Sequence, residues 1–442
     1  MIRSLTPLAA LLISDALVLL GHGLLLTLIP VSASQLGFSD FQIGLTGTGY
    51  FVGFVTGCLA TPYVLKRVGH IRTFAVLASA YTAFILFFAW SQSFAGWMFL
   101  RFMIGAIIAG IYMIIESWLN ERADKNNRGA ILSFYAMMNL MMITIAQQLL
   151  NLGGVNPTLL FALAGIFLSL SIVPVSLTLA LAPAPIHKVS IDFTKVWKHS
   201  HIGIIGSIFS GLITGSFWTL APIYAKDSGL TTFQLANFMS AVVLGGALFQ
   251  IPLGRFSDKF DRRLILIFIA LAGAIISLLT FIASFENYYA GAVSTWLAFI
   301  WGAFSMTMYA ICLAHANDNA DSADFVDIGS AMLITYGLSS AISAPIASAL
   351  MGMLGHQYLF VFMGTSFAIF CVILIARRKS HVLPVMAEHN GEFHSVAGLT
   401  TPEAYNLDPR AEELNEAVPA SELEREWADV DADYHDNIDK KT

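Results

Sequence analysis

Four ionisable side chains interrupt apolar stretches in the first half of the sequence: Asp15 and His22 in one stretch, and Arg101 and Glu116 in another. An ionisable group at bilayer depth is costly, so each is a candidate functional group. An aspartate or histidine that binds a proton beside an arginine of fixed charge changes the local charge and thereby favours one conformation. The chemistry that these residues predict is reversible proton binding linked to a conformational change.

For His22 and Glu116, a purely structural role remains open as the alternative to a role in proton binding. His22 lies between two glycines and would also suit a packed, hydrogen-bonded histidine, and Glu116 would also suit an anchor at the membrane interface. At a rise of about 1.5 Å per residue, His22 and Arg101 should lie at one depth and Asp15 below both.

The elements that must position these groups are apolar helices. The chain has 442 residues, of which 57% are hydrophobic and 12% are charged, whereas soluble globular chains carry about a quarter charged residues. A helix needs about 20 mainly apolar residues to cross a bilayer, so the sequence predicts an all-α membrane protein with twelve transmembrane helices. The predicted spans are residues 7–29, 42–64, 72–91, 95–117, 129–151, 157–181, 202–225, 233–253, 264–284, 288–314, 328–351 and 357–377.

The basic residues predict the direction of these spans. Seventeen Lys and Arg residues fall in segments on one side of the membrane, and only Lys226 falls in the loops on the other side. Because cytoplasmic loops carry an excess of Lys and Arg, both termini are predicted to be cytoplasmic.

A polar break at residues 182–201 divides the spans into six and six. We therefore expect an N-terminal six-helix bundle (1–181), a cytoplasmic central loop (182–201), a C-terminal six-helix bundle (202–380) and a tail (381–442). The tail has 15 acidic and 4 basic residues, which predicts a mostly disordered, solvated segment; a regulatory or partner-docking role is the alternative. Repeated halves with a site between them near the midplane are common among transporters.

Two charged turns occupy equivalent places in the two halves. "GRFSDKFDRR" follows span 8, and "PYVLKRVGHIR" follows span 2. The second-half turn resembles the hallmark turn of the major facilitator superfamily, Gly-x-Leu-Ala-Asp-Arg/Lys-x-Gly-Arg-Arg. The residues that match it are Gly254, Asp258, Lys259, Arg262 and Arg263.

The first-half turn matches less well. Gly69 and the basic residues fit, but Pro62 replaces the leading glycine and Lys66 replaces the aspartate. The segment "RFMIGAIIAG" also resembles the superfamily's span-4 motif, and Arg101 is the counterpart of its arginine. The resemblance covers about residues 6–380 and implies two pseudo-symmetric six-helix bundles and a part for Arg101 in proton coupling. The loops "ESWLNERADKNNRG" and "CLAHANDNAD" resemble a poorly characterised bacterial branch of the superfamily.

The resemblance further implies that each turn meets the start of a helix in the opposite half. Asp258 then faces the basic loop before span 5, which includes Arg128. Lys66 and Arg67 face the acidic loop before span 11, which includes Asp324 and Asp327. We hypothesise that the first turn is a charge-swapped gate; a solvated acidic loop is the alternative.

The second half lacks buried charge and offers aromatic and polar side chains instead. The candidates for lining a central cavity are Trp218, Trp296, Trp301, Tyr309 and Gln147. Asn139 and Gln148 are also polar residues of span 5, which either face the cavity or hydrogen-bond to neighbouring helices. Aromatic residues on an apolar helix also pack in cores or face lipid. Such a cavity predicts an uncharged or amphiphilic substrate.

Together these patterns predict a secondary active transporter that moves a small molecule by alternating access and is coupled to protons. It would be a monomer, multi-pass in the inner (plasma) membrane of a bacterium. The alternative is a transporter-like membrane sensor or scaffold that acts through its acidic tail. No nucleophile motif, zinc spacing or phosphate loop is present, so we expect no enzyme activity, cofactor or metal, and no nucleic-acid partner.

Overall fold

The computed structural model of the chain describes residues 8–122, 128–153, 156–177, 197, 200–286, 289–318, 320, 324–380 and 400–407. These residues form twelve helices long and apolar enough to cross a membrane, and no β-strand occurs among them. The prediction of an all-α protein with twelve transmembrane helices is confirmed. The helices are α1 (Ala9–Gln35), α2 (Asp40–Val68), α3 (His70–Trp90), α4 (Phe94–Arg122), α5 (Arg128–Gln148), α6 (Pro157–Ser176), α7 (His201–Asp227), α8 (Thr232–Lys259), α9 (Arg262–Ala283), α10 (Ser294–Asp318), α11 (Phe325–Leu354) and α12 (Tyr358–Ser380).

Several helices extend beyond the predicted spans, because hydropathy marks only the part that crosses hydrocarbon. Local capping decides where they begin. Ser39 and Gln42 form a capping box at the start of α2, and Thr231 and Gln234 form the same box at the start of α8. Each box satisfies backbone N–H groups that the first helical turn leaves without partners. The second helix of each half therefore starts in the same way.

The two sets of six helices pack in the same order. In the first, α2 lies against α4, α1 against α5 and α6, and α3 against α6. In the second, α8 lies against α10, α7 against α11 and α12, and α9 against α12. The contacts therefore repeat between the halves, as the two-bundle prediction requires. The domain boundaries stay a prediction, because residues 178–196, 198–199 and 381–399 lie outside the described residues.

Glycines allow two of these helix pairs to approach closely. A Cβ added to Gly105 of α4 would overlap the backbone carbonyl of Tyr50 in α2, and one added to Gly302 of α10 would overlap the backbone of Val242 in α8. Small residues at helix contacts let backbones approach in membranes.

The halves contact each other directly at one end of the bundle. We call this end, where α2 begins and α11 ends, the opposite side. Here the Thr48 hydroxyl donates to the Ala341 carbonyl over 2.6 Å, and the Lys226 ammonium lies 2.7 Å from the Ser34 hydroxyl. Gln148 also donates to the Ser240 hydroxyl over 2.8 Å, which joins α5 to α8.

At the other end, where α2 and α8 end and α11 begins, a piece of the tail lies between the halves. We call this end the basic side, and we call residues 400–407 the tail segment. Its 3₁₀ helix, Pro402–Leu407, packs against α4, α5 and α11. The sequence did not predict this packing.

Candidate functional site

A central cavity lies between the halves. Its lining comes from α1, α4 and α5 of the first half and from α7, α8, α10 and α11 of the second. None of the described residues that line it carries a formal charge. The lining residues are Leu19, Leu26, Tyr112, Asn139, Leu140, Ile143, Thr214, Trp218, Val243, Ser305, Met306, Tyr309, Ala310 and Tyr336.

Two buried polar atoms of the lining residues are unsatisfied within the described part of the chain. The Oδ1 atom of Asn139 and the Oγ atom of Ser305 are buried and have no hydrogen-bond partner among the described residues. By contrast, the hydroxyls of Thr214 and Tyr336 bond to each other over 2.7 Å. A buried polar group without a partner is destabilising. The cavity is therefore apolar with unsatisfied polar positions on both halves.

The cavity contains two of the five candidates that the sequence suggested. Trp218 and Tyr309 line it. Trp301 instead packs inside the second half, where its indole donates to Ser277 over 3.0 Å and its ring stacks on Phe217.

The remaining two cavity candidates also lie elsewhere. The side chain of Trp296 is 64% exposed on the outer surface of α10. Gln147 donates to the Gly23 carbonyl over 2.8 Å and accepts from the Thr27 hydroxyl over 2.5 Å. Both of its amide atoms are thus used to join α5 to α1.

The structure brings His22 and Arg101 into one buried network, as their predicted depth suggested. One ring nitrogen of His22 lies 2.6 Å from the Tyr81 hydroxyl, and the other lies 3.2 Å from the Tyr50 hydroxyl. The Arg101 guanidinium carbon lies 4.6 Å from the centre of the Tyr50 ring, a cation–π geometry. Arg101 also donates to the Thr46 carbonyl over 3.4 Å. Tyr50 therefore links the histidine to the arginine.

Asp15 and Glu116 are both completely buried but differ in their partners. Neither carboxylate oxygen of Asp15 has a hydrogen-bond partner among the described residues. In Glu116, Oε1 accepts from the Tyr135 hydroxyl over 3.4 Å, and Oε2 accepts from the backbone N–H of Thr401 over 2.9 Å and from its hydroxyl. Glu116 is therefore held by the tail segment rather than exposed at an interface.

The second-half turn forms a compact ionic cluster. The Arg262 Nη1 atom lies 3.0 Å from Asp258 and 2.6 Å from the Ser257 hydroxyl, and its Nε atom lies 2.5 Å from Asp318. Gly254 is buried in the last turns of α8. Arg262, the first residue of α9, therefore binds the ends of both α8 and α10.

The other basic residues of this turn are less enclosed. Lys259 is exposed, and the Arg263 Nε atom lies 3.3 Å from a ring nitrogen of His315. Asp261, which stands where the superfamily has a second glycine, accepts from the backbone N–H of Arg263 over 2.8 Å. The substitution thus serves as a cap for α9.

Gly69 of the first-half turn adopts a backbone conformation that favours glycine. Gly69 has a φ of +80°, in the region that residues with a Cβ rarely adopt, and separates α2 from α3. Lys66 and Arg67 are exposed in the last turn of α2.

The proposed partners of this turn lie at the start of α11. Asp324 precedes the helix and Asp327 lies in its first turn. Arg128 begins α5, but its side chain lies outside the described part of the chain. The charge-swapped gate between Lys66, Arg67 and these aspartates stays a prediction.

Sequence reasoning missed the hydroxyl partners of His22 and Glu116 and overlooked the polar role of Ser305. These partners are Tyr50, Tyr81, Tyr135 and Thr401. The tyrosines Tyr50 and Tyr81 offered a signal, since a phenol inside an apolar span needs a hydrogen-bond partner. Thr401 offered none, because it lies in a polar tail.

The match to a known family agrees with this geometry. The sequence model of the Major Facilitator Superfamily matches residues 11–326 and 203–397. The chain belongs to this superfamily of transporters, and it is a multi-pass membrane protein.

A curated relative, "Uncharacterized MFS-type transporter YcaD" of Salmonella newport (strain SL254), is 28% identical over 387 residues, which is 86% of this chain and 98% of the relative. Two solved structures share the fold at low identity. The nucleoside transporter NupG (D323A mutant) has a TM-score of 0.70 and 12% identity over 83% of this chain and 98% of its own. A D-xylose-proton symporter has a TM-score of 0.63 and 15% identity over 83% of this chain and 96% of its own.

Proposed function

We propose that the protein is a secondary active transporter that moves a small uncharged molecule across a bacterial inner membrane by alternating access, coupled to protons. The observation that carries this proposal is the central cavity, which both halves line and which direct contacts close on the opposite side. The distribution of Lys and Arg predicts that the basic side is cytoplasmic, so we propose that this conformation, whose halves are in contact on the opposite side, is inward-facing.

The lining suggests the chemistry of the substrate. A charged substrate would lose its hydration without gaining a counter-charge among the described lining residues, which is unfavourable. We propose that the substrate donates hydrogen bonds to Asn139 Oδ1 and Ser305 Oγ, which have no partner among the described residues, and that its apolar part packs on Trp218. A neutral molecule with hydroxyl or amide donors and an apolar part meets these requirements.

The coupling proposal depends on Asp15 and the network around Arg101. An ionised carboxylate that is buried without a partner is costly, and a conformation that hydrates Asp15 or pairs it with a cation removes that cost. Proton release from Asp15 would therefore be linked to the exchange between conformations. Arg101 supplies the fixed charge in the same half.

Transport into proteoliposomes tests the substrate proposal. Nucleosides and pentoses are the first compounds to screen, because they are uncharged, carry hydroxyl donors and appear in the names of the structural neighbours. For a compound that is transported, Asn139→Ala and Ser305→Ala should each weaken apparent affinity, by up to about tenfold for one lost hydrogen bond. Asn151→Ala, at an exposed position, is the matched control and should leave affinity unchanged. Equal affinities in all four proteins would contradict the assignment of the cavity.

An imposed pH gradient tests the coupling. Wild-type accumulation should depend on the gradient, whereas Asp15→Asn should lose that dependence and still exchange labelled for unlabelled substrate. Unchanged gradient dependence in both Asp15→Asn and Arg101→Ala would remove these two residues from the coupling mechanism. Wild-type accumulation that does not respond to the gradient would remove proton coupling, and either result would leave the transport proposal intact.

A further inference from the structure

The tail segment is bound to the first half through specific polar contacts. The Glu116 carboxylate accepts hydrogen bonds from both the backbone N–H and the hydroxyl of Thr401. One turn further along α4, Asn120 donates to the backbone carbonyl of Glu403 over 2.5 Å. Hydrogen bonds to a buried carboxylate are stronger than those between neutral groups. The segment is thus recognised by α4 and does not merely lie beside it.

The same segment is bound to the second half by an aromatic side chain. The Tyr405 hydroxyl lies 2.7 Å from the hydroxyl of Tyr309, which lines the central cavity. The Tyr405 ring lies on Gly329 in the first turns of α11, where an added Cβ would overlap the ring. Tyr405 is 3% exposed. It therefore fills a site that a glycine leaves open.

We propose that the tail segment is a plug that occupies the basic side of the transporter and blocks the path between the central cavity and the cytoplasm. Because it lies between α4 on one half and α10 and α11 on the other, these helices cannot meet until it leaves. The plug therefore holds the protein in the conformation seen here and inhibits its cycle. The plug proposal rests on the proposed function in one respect: the movement that the plug blocks is the alternating-access movement of the two halves.

The accessibility of the cavity from the basic side tests the plug without any known substrate. A single cysteine replaces Met306, which lines the cavity and is partly exposed, in a background where the native cysteines are alanine. Inside-out membrane vesicles are treated with a membrane-impermeant maleimide, and the labelling rate is measured. Val68→Cys, exposed at the end of α2, reports the reagent's access to the same side. The native cysteines are Cys58, Cys312 and Cys371.

Three variants decide the outcome. A chain that ends at Leu399 and the full-length Gly329→Ala variant should both label Met306→Cys at least about tenfold faster, which corresponds to a docking free energy of about 1.4 kcal/mol. A chain that ends at Pro409 keeps the plug and should label as slowly as the full chain. Gly329→Ala introduces a residue favoured in helices, so it should fold even if the truncated chain does not.

A double variant shows whether Gly329→Ala speeds labelling by displacing the plug or by altering α11 directly. If Gly329→Ala acts by displacing the ring, adding Tyr405→Ala should speed labelling no further. Equal labelling rates in the full chain, the chain that ends at Leu399 and Gly329→Ala would overturn the proposal, as would faster labelling of the full chain. Labelling needs no transport, so this result is independent of whether the protein moves the compounds screened above.

Discussion

Replacing Arg262 with alanine should destabilise the protein more than any other removal of a basic residue from the second-half turn. Only 2% of the Arg262 side chain is exposed, and its guanidinium lies between Asp318, at 2.5 Å, and Asp258, at 3.0 Å. Removing the arginine would leave two carboxylates facing each other across the junction of α8, α9 and α10. The Ser257 hydroxyl would lose the Arg262 donor as well, although it would still donate to the Gly254 carbonyl.

The magnitude follows from the burial of the partners. Breaking a buried ion pair by removing one member costs about 3–5 kcal/mol. The side chain of Asp318 is 8% exposed and that of Asp258 is 22% exposed, so water relieves part of the cost and we expect about 3 kcal/mol. Arg255 is exposed in the same turn, and Arg255→Ala removes the same charge with an expected cost within about 0.5 kcal/mol.

Thermal unfolding of the purified protein in detergent measures the difference. One kcal/mol shifts the melting temperature of a chain of 150–250 residues by about 2–4 °C, and that of a longer chain by less. Arg262→Ala should therefore melt about 4 °C below Arg255→Ala, and Arg262→Lys should lie between them, because lysine keeps the charge but not the forked geometry. Melting temperatures for the two alanine variants that agree to within about 1 °C would refute this account of the cluster.

Two further predictions concern packing and pH. Gly302→Ala should lower the free energy of unfolding by about 1–3 kcal/mol, because its Cβ would overlap the backbone of Val242. Gly352→Ala is the control: it has open space around it and should leave the free energy of unfolding unchanged or raise it. Equal melting temperatures for the two variants would contradict the close contact. Burial lowers the pKa of His356, in the loop between α11 and α12, below its ordinary value, although the Asp227 carboxylate opposes this. The neutral imidazole is thus favoured by folding, so its stabilising contribution is complete above about pH 6.5 and is lost as the pH falls towards the folded pKa. His356→Gln should lower the sensitivity of the melting temperature to acid between about pH 7 and about pH 5, and an identical pH profile in both proteins would exclude this role.

Much of the fold could be predicted because membrane helices follow from local rules. Runs of about 20 apolar residues mark the spans. Ser39 and Thr231 each begin a capping box with a nearby glutamine, a spacing that can be recognised in the sequence. The cavity could be predicted only in part. Trp296 and Trp301 lie on one helix, five residues and therefore about 140° apart, and one is exposed while the other is buried. Nothing in their local sequence distinguishes the two faces.

The networks of the site were harder to predict because their members are distant in sequence. His22 reaches Tyr50 and Tyr81, which lie 28 and 59 residues away. Glu116 reaches Thr401 across 285 residues. Such pairs depend on how helices are arranged around one another, and hydropathy does not specify that arrangement. The polar tail lacks even the apolar pattern that would suggest burial.

Glu116 is one of the four buried ionisable groups of the first half and also binds the plug through Thr401. The first half holds Asp15, His22, Arg101 and Glu116, and of the two carboxylates only Glu116 has hydrogen-bond partners among the described residues. When the tail segment leaves, Glu116 Oε2 loses both Thr401 donors, and among the described residues only the long hydrogen bond from the Tyr135 hydroxyl to Oε1 stays. The free energy of ionised Glu116 therefore rises unless a proton or another donor replaces Thr401. Release of the plug and protonation of the first half should then be linked, because whatever favours one changes the free energy of the other. Glu116→Gln, which keeps an acceptor for Thr401 but carries no charge, separates the two effects: the plug should stay docked while any influence of pH on its release disappears.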